Sequence, residues 1–240
     1  MLRCRPLLEV ADHFFTDGSI ELRDDEHEWR GVAGLAGVEP DRLLLLGQVH
    51  GRTVVTAHAR RTNPWSRPAA DAAVSDDPAS ALVVRVADCA PILLADRRLG
   101  VVAAVHAGWR STVQRIAGAA VDALRTEFGT DARDLVAAVG PSLGTCCGEM
   151  GDEVVQAFID AGHSGADIAR WFARAPGRRP HFDLWGSNRE QLERAGVPPA
   201  SIHVAALCTR THHRVFHSYR AGGASAGRMA AVIRAARPRA

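Results

Sequence analysis

A chain of 240 residues with 47% apolar side chains buries a core without disulfide staples, and 29 basic residues against 27 acidic ones leave a formal charge of +2, too small for a nucleic-acid footprint. No apolar run approaches the roughly 20 residues of a membrane span, and the apolar stretch in the opening MLRCRPLLEVAD is too short for a signal peptide. Five cysteines, an odd number, point to free thiols in a reducing, cytoplasmic setting, where a cysteine that matters acts as ligand or nucleophile.

In chain order, Leu43 to Leu46 reads as a buried strand that ends in the turn Gly47-Gln48-Val49-His50-Gly51. The basic pair Arg60-Arg61, like Arg178-Arg179 later, marks a solvated loop. The Pro- and Ala-rich stretch Asn63 to Ala70, with Trp65 inside it, reads as a long loop or a lid. Ala81–Val86, Pro91–Ala95 and Gly100–Val105 are apolar, β-branched runs expected to form the central strands of one sheet.

After His106-Ala107-Gly108-Trp109-Arg110, Ser111 is the expected N-cap of a helix carrying Val113, Ile116, Ala117, Ala120, Leu124 and Phe128. Arg110 then sits at a helix start, where backbone N–H groups favour an anion. Leu135–Val139 is a further strand, Asp152–Ile159 a helix, and Cys146-Cys147 falls in the loop between them. Asp183 caps a helix from Leu184 to about Ala195, Ile202–Leu207 is a last strand, and Ala224–Ala236 reads as a terminal helix. Strands interleaved with helices predict one α/β (α+β layered) domain over residues 1–240, with mixed sheets flanked by helices and the chemistry in loops at strand ends.

His50, Cys89 and His106 each follow a strand-like run, so three strand ends can converge on one metal, with a fourth position open for water or substrate. Their spacings of 39 and 17 residues match no short zinc motif, and a lone His or Cys after a strand also serves plain packing. Asp88, Gly51, Gly108 and Arg110 supply the polar groups and open backbone that a cleft requires. Asp88 either orients a histidine, handles a proton or simply caps a strand end. The vicinal Cys146-Cys147 lacks the spacing of the usual redox motif and is expected to pack in a loop lining the cleft. His212-His213 reads as a solvated turn.

Five strings resemble the laccase-domain family: Gln48-Val49-His50-Gly51, Ala87-Asp88-Cys89-Ala90-Pro91, His106-Ala107-Gly108-Trp109-Arg110, Gly140-Pro141-Ser142 with Cys146-Cys147, and Ser218-Tyr219-Arg220 with Gly227-Arg228. They occur in family order across residues 43 to 230. Members carry polyphenol oxidase, purine nucleoside phosphorylase and peptidoglycan-editing-factor names. The resemblance implies a metal held by His50, Cys89 and His106, zinc with copper as the alternative. It also implies phosphorolysis of adenosine, inosine and methylthioadenosine, and deamination of adenosine, so that the partners are a purine nucleoside and phosphate. The expected state is a monomer or small homo-oligomer. Catalytic roles fall on Cys89, Asp88 and Arg110, and substrate contacts on Arg220, Cys146 and Cys147.

Copper-dependent phenol oxidation is secondary to the other readings, because a single His₂Cys centre lacks a multinuclear copper set. From the residues alone, Cys89 with His106 or His50 also makes a cysteine hydrolase. A metal-binding paralogue with altered activity is a third reading, motivated by departures from the family pattern. Asp17 stands where an arginine is usual, an Asn-Leu-Gly stretch is missing after Ile20, Gly148 replaces a common tyrosine and His217 a common phenylalanine. A carboxylate in place of a cation is expected to weaken anion binding.

Overall fold

The computed structural model describes residues 1–23, 25–57 and 67–235. In chain order the helices are α1 Arg5–Leu8, α2 Glu26–Ala36, α3 Trp109–Val113, α4 Ile116–Phe128, α5 Asp152–Asp160, α6 Gly165–Trp171, α7 Leu184–Arg194 and α8 Tyr219–Gly222. The strands are β1 Asp12–Phe15, β2 Leu43–Leu45, β3 Val54–Ala57, β4 Ala72–Ser75, β5 Ala81–Val86, β6 Ala90–Asp96, β7 Val102–Ala107, β8 Leu135–Val139, β9 Phe172–Ala173, β10 His181–Phe182, β11 Ile202–Val204 and β12 Met229–Arg234. One sheet runs β1-β12-β5-β2, a second runs β11-β8-β6-β7-β4-β3, and β9 pairs with β10 alone. Both large sheets are mixed: β2 joins β5 in parallel while β12 is antiparallel to β5 and β1.

The period-2 alternation of the strands builds the layers. Leu82 and Val84 of β5, with Ala231 and Ile233 of β12, pack against Leu93, Val102, Ala104 and Val136 of the second sheet. The intervening residues Val83 and Val232 face the other way, onto Trp29, Val32 and Ala33 of α2. On the far face of the second sheet, Ile92, Leu94, Val105 and Val139 meet Ile116, Ala120, Val121 and Leu124 of α4. The mixed α/β domain is thus layered helix, sheet, sheet, helix, with small Ala side chains between the sheets where they face each other.

Three expectations are corrected. The three runs from Ala81 to Val105 belong to two sheets: β5 lies in the first, β6 and β7 in the second. The switch occurs at Ala87–Cys89, where Asp88 takes φ +85°, a left-handed conformation that turns the chain from one layer to the other. The C-terminal segment is a strand: Val232 and Ile233 fit a pleated surface, and β12 is buried between β1 and β5, so pairing on both edges overrides the helix preference of its alanines. Ser111 is buried within α3 and does not cap; Gly108 holds the cap position, and Arg115 at φ +61° separates α3 from α4.

Other elements follow the sequence closely. Asp183 accepts from the Gly186 N–H at the start of α7, 2.9 Å, the cap its side chain suggested. β11 is shorter than Ile202–Leu207, since Ala206 has φ +53° and ends the extended run. Residues 63–66 of the Pro- and Ala-rich stretch and the pair Arg60-Arg61 lie outside the described residues. No helix among the described residues is long and apolar enough to cross a membrane.

Candidate metal centre

Antiparallel pairing of β6 and β7 sets Pro91 opposite His106 and Ala90 opposite Ala107, which carries Cys89, just before β6, alongside His106. β4 flanks β7 on its other edge, and Asp71 immediately precedes β4. The Asp71 backbone carbonyl accepts from His106 N–H at 2.7 Å, and its fully buried carboxylate is 2.8 Å from His106 Nδ1. The same carboxylate accepts from the backbone N–H groups of His50 at 2.9 Å and Gly51 at 2.6 Å. One side chain therefore fixes the His106 ring and holds His50 in its left-handed conformation, φ +60°.

With Nδ1 engaged by Asp71, His106 turns Nε2 toward the cleft. Its ring centroid lies 4.8 Å from that of His50. His50 Nε2 is 3.8 Å from Cys89 Sγ, close to the ~3.6 Å edge between a thiolate and an imidazole on one tetrahedral zinc ion. The ligand atoms of His50, Cys89 and His106 all lie within 4.8 Å of one another. The donor set, two imidazoles and a thiolate with a carboxylate behind one imidazole, fits a bound transition metal. Gly108 leaves room for it: a Cβ there would stand 2.9 Å from Cys89 Sγ and 3.0 Å from His50 Cδ2.

Burial alone would push the Cys89 thiol up. The charge and hydrogen bonds of His106, joined by those of His50, outweigh it and hold the thiol down at about 6. Burial likewise favours neutral His106, but Cys89 and Asp71 beside it raise its proton affinity above the ordinary histidine value. Each of the two groups therefore favours the charged form of the other.

The three candidate ligands line a cleft of about 800 Å³. Among the described residues its lining includes five arginines, Arg23, Arg85, Arg110, Arg220 and Arg228, against one carboxylate, Asp88. Leu143, Met150, Phe182, Leu184 and Tyr219 give it apolar wall. The Arg110 guanidinium stacks on the neighbouring Trp109 ring, 4.1 Å from its centroid. Arg220 Nη1 donates to the Glu149 carbonyl at 2.9 Å.

Asp88 does not orient a histidine; Asp71 does. The Asp88 carboxylate accepts from Thr209 Oγ1 and from the Arg220 backbone N–H, each at 2.6 Å, and so ties α8 and its arginine to the Cys89 turn. Cys146 and Cys147 are absent from the cleft lining and face Cys208 and Thr211 instead. A side chain at position 148 has no room, since a Cβ there would come 2.6 Å from the Phe182 carbonyl oxygen. Asp17 is also outside the lining. Hydrogen bonds from the N-terminal ammonium, 2.5 Å away, and from Ser19 hold its carboxyl down at about 2. The cleft's cationic character comes from residues elsewhere in the chain, so the Asp17 substitution does not strip it of positive charge. His212 and His213 are exposed in a turn, as expected.

Asp71, Arg23 and Arg85 were not singled out from the sequence. Asp71 sits among alanines beside the Pro-rich stretch, and only the β4–β7 pairing brings it to His106.

The profile of the family described as multi-copper polyphenol oxidoreductase laccase matches residues 23–236. A purine nucleoside phosphorylase of Deinococcus radiodurans is 38% identical over 84% of this chain and 74% of its own length. Adenosine deaminase RL5, from an unknown prokaryotic organism, is 39% identical over 80% of this chain and 74% of its own. A purine nucleoside phosphorylase of Bacteroides thetaiotaomicron is 38% identical, with the match spanning 68% of this chain and only 60% of that protein. Among solved structures, the hypothetical protein YfiH of Bacillus licheniformis superposes with a TM-score of 0.81 at 25% identity, over 92% of this chain and 85% of that one. YlmD of Geobacillus stearothermophilus gives 0.80 at 28% identity, with the same coverage.

Proposed function

The chain belongs to the multi-copper polyphenol oxidoreductase laccase family, and from that premise we propose that it is a zinc-dependent purine nucleoside enzyme, catalysing phosphorolysis of adenosine, inosine and methylthioadenosine and deamination of adenosine. The observation that carries the reading is the cleft: five arginines and an apolar wall surround the open side of the His50, Cys89 and His106 set. Anionic phosphate and a flat purine are the ligands such a wall suits.

His50, Cys89 and His106 would hold the metal, with Asp71 fixing the tautomer of His106. When bound, zinc supplies Lewis acidity at the cleft floor, the chemistry that activates water at neutral pH. Arg110, braced on Trp109, and Arg220, braced on Glu149 and Asp88, are placed to bind phosphate and offset charge as the purine leaves. Asp88 is the one carboxylate of the lining among the described residues and the candidate to accept or return a proton. Leu143, Phe182 and Leu184 supply apolar surface for the purine and exclude water from it. The test is release of adenine from adenosine with and without phosphate, in protein of measured metal content. Metal-replete protein inert toward every purine nucleoside contradicts the reading.

A second reading rests on the lowered Cys89 thiol, which beside two imidazoles is also a nucleophile. It requires activity that survives a chelator and covalent labelling of Cys89 by substrate. Phenol oxidation ranks below both, because the His–Cys–His set of the cleft is a single centre rather than a multinuclear copper group.

A further inference from the structure

Outside the cleft, three cysteines meet. Cys146 and Cys147 lie on the single turn Thr145–Cys147, and Cys208 comes from the loop after β11, more than sixty residues away. Their three Sγ atoms all lie within 4.8 Å of one another, with Cys146 and Cys147 Sγ 3.7 Å apart. Three sulfurs on one metal at about 2.3 Å stand roughly 3.8 to 4.0 Å apart; the Cys146–Cys147 pair has that spacing, and Cys208 is close enough to complete the set with a small shift. The Thr211 hydroxyl is 3.6 Å from both Cys146 and Cys147 Sγ, on the same side of the group.

The backbone is arranged for this meeting. Gly144 allows the approach, because a Cβ there would be 3.1 Å from Cys208 Cβ and 2.8 Å from Trp185. Ser142 N–H donates to the Leu207 carbonyl at 3.2 Å and Thr209 N–H to the Ser142 carbonyl at 3.1 Å, which locks the two loops in register. Cysteines that only fill a core are enclosed by apolar neighbours. Here Cys146 is exposed, Cys147 half-buried and Cys208 buried, so the group has an entry path on one side and a rigid floor on the other. Burial pushes the Cys208 thiol up, but hydrogen bonds from Thr211, the backbone and Cys146 outweigh it and hold it down; Cys146 is pulled down by Thr211 yet pushed up on balance by burial and by Cys208 and Cys147, so Cys208 is the first of the two to become a thiolate.

We propose that Cys146, Cys147 and Cys208 form a second metal site, distinct from His50, Cys89 and His106, that takes a soft thiophilic d¹⁰ cation, Cu(I) or Zn(II). With three thiolates and no imidazole, its donor set is softer than that of the cleft. The ion clamps the 142–148 loop to the 207–211 loop, and both loops grip Asp88, through the Leu143 N–H to its carbonyl and Thr209 Oγ1 to its carboxylate. The site is structural, standing behind the wall of the cleft.

The test uses the full chain in the Cys89→Ser background, which leaves the proposed site as the only thiolate cluster among the described residues. Co(II) is the spectroscopic probe, and Zn(II) and anaerobic Cu(I), each against a competing chromophoric chelator, identify the natural ion. The expected result is a sulfur-to-metal charge-transfer band and about one tightly held equivalent of ion, both lost on adding Cys146→Ser and Cys147→Ser. Should those variants fold poorly, alkylation of the unmodified protein decides. Cys146 is labelled in metal-free protein and protected after loading, with circular dichroism showing the same fold in both states. Equal metal uptake with and without the two cysteines, labelling of Cys146 unaffected by metal, or a stable disulfide to Cys208 persisting in reducing buffer each overturns the proposal.

Discussion

At the residue scale the centre depends on Asp71 as much as on its ligands. The carboxylate touches His106 Nδ1 and the backbone on both sides of the His50–Gly51 bond. Replacing a carboxylate that orients a metal-binding histidine costs about 10- to 100-fold in affinity. Asp71→Asn is therefore expected to lose zinc to a chelator at correspondingly lower chelator concentration, with circular dichroism unchanged. Affinity equal to that of the parent protein would remove Asp71 from the account. The Cys89 thiol gives a second residue-level expectation. Its value is depressed from that of a free thiol to about 6, so the thiolate persists above that pH and is lost below it. In metal-free protein, alkylation of Cys89 should reach its plateau by neutral pH, rather than still rising through about 8.5 as a free thiol does. The convergence of His50, Cys89 and His106 as candidate ligands was legible in the sequence because each ends an apolar run inside a family string. Asp71 was not, because its importance arises from a strand pairing 35 positions from His106.

At the element scale, the sequence revealed β5 to β8, α5 and α7 through periodicity and caps, but misread the C-terminal segment. Ala-rich stretches favour a helix locally, and nothing within Met229–Arg234 announces the two partners that bury it. The difference is measurable. Ile233 is fully buried between the sheets, so Ile233→Ala is expected to cost about 2 to 5 kcal/mol in urea unfolding. A loss below about 0.5 kcal/mol, typical of surface substitutions, would contradict the strand. The β6–β7 pair and the α3 entry make a similar demand at Gly108. Gly108→Ala places a methyl against Cys89 Sγ and His50, and is expected to weaken metal binding while leaving the unfolding midpoint nearly unchanged. Isothermal titration with zinc and a parallel urea curve separate the two effects.

At the scale of the whole molecule, a near-neutral chain concentrates positive charge in one cleft. Composition could not disclose this, because Arg23, Arg85, Arg110, Arg220 and Arg228 are scattered along the sequence and only folding gathers them. The carboxylate of Asp17, from which a weakened anion site was expected, lies outside that cleft lining. A charge-assisted hydrogen bond contributes about 1.5 to 3 kcal/mol, so Arg110→Ala and Arg220→Ala should each raise the phosphate KM roughly ten- to hundredfold. Zinc content should not change.

In the proposed function, the His50, Cys89 and His106 set and the arginine cleft act together on purine nucleosides. Adenine release from adenosine, followed with and without phosphate in zinc-loaded parent protein and in His106→Ala, tests it most directly. The expected result is phosphate-dependent release that falls to background in the variant and in chelator-stripped protein, and returns when zinc is restored to the parent. Release that is indifferent to zinc and to His106, or its complete absence from zinc-replete protein, would contradict it.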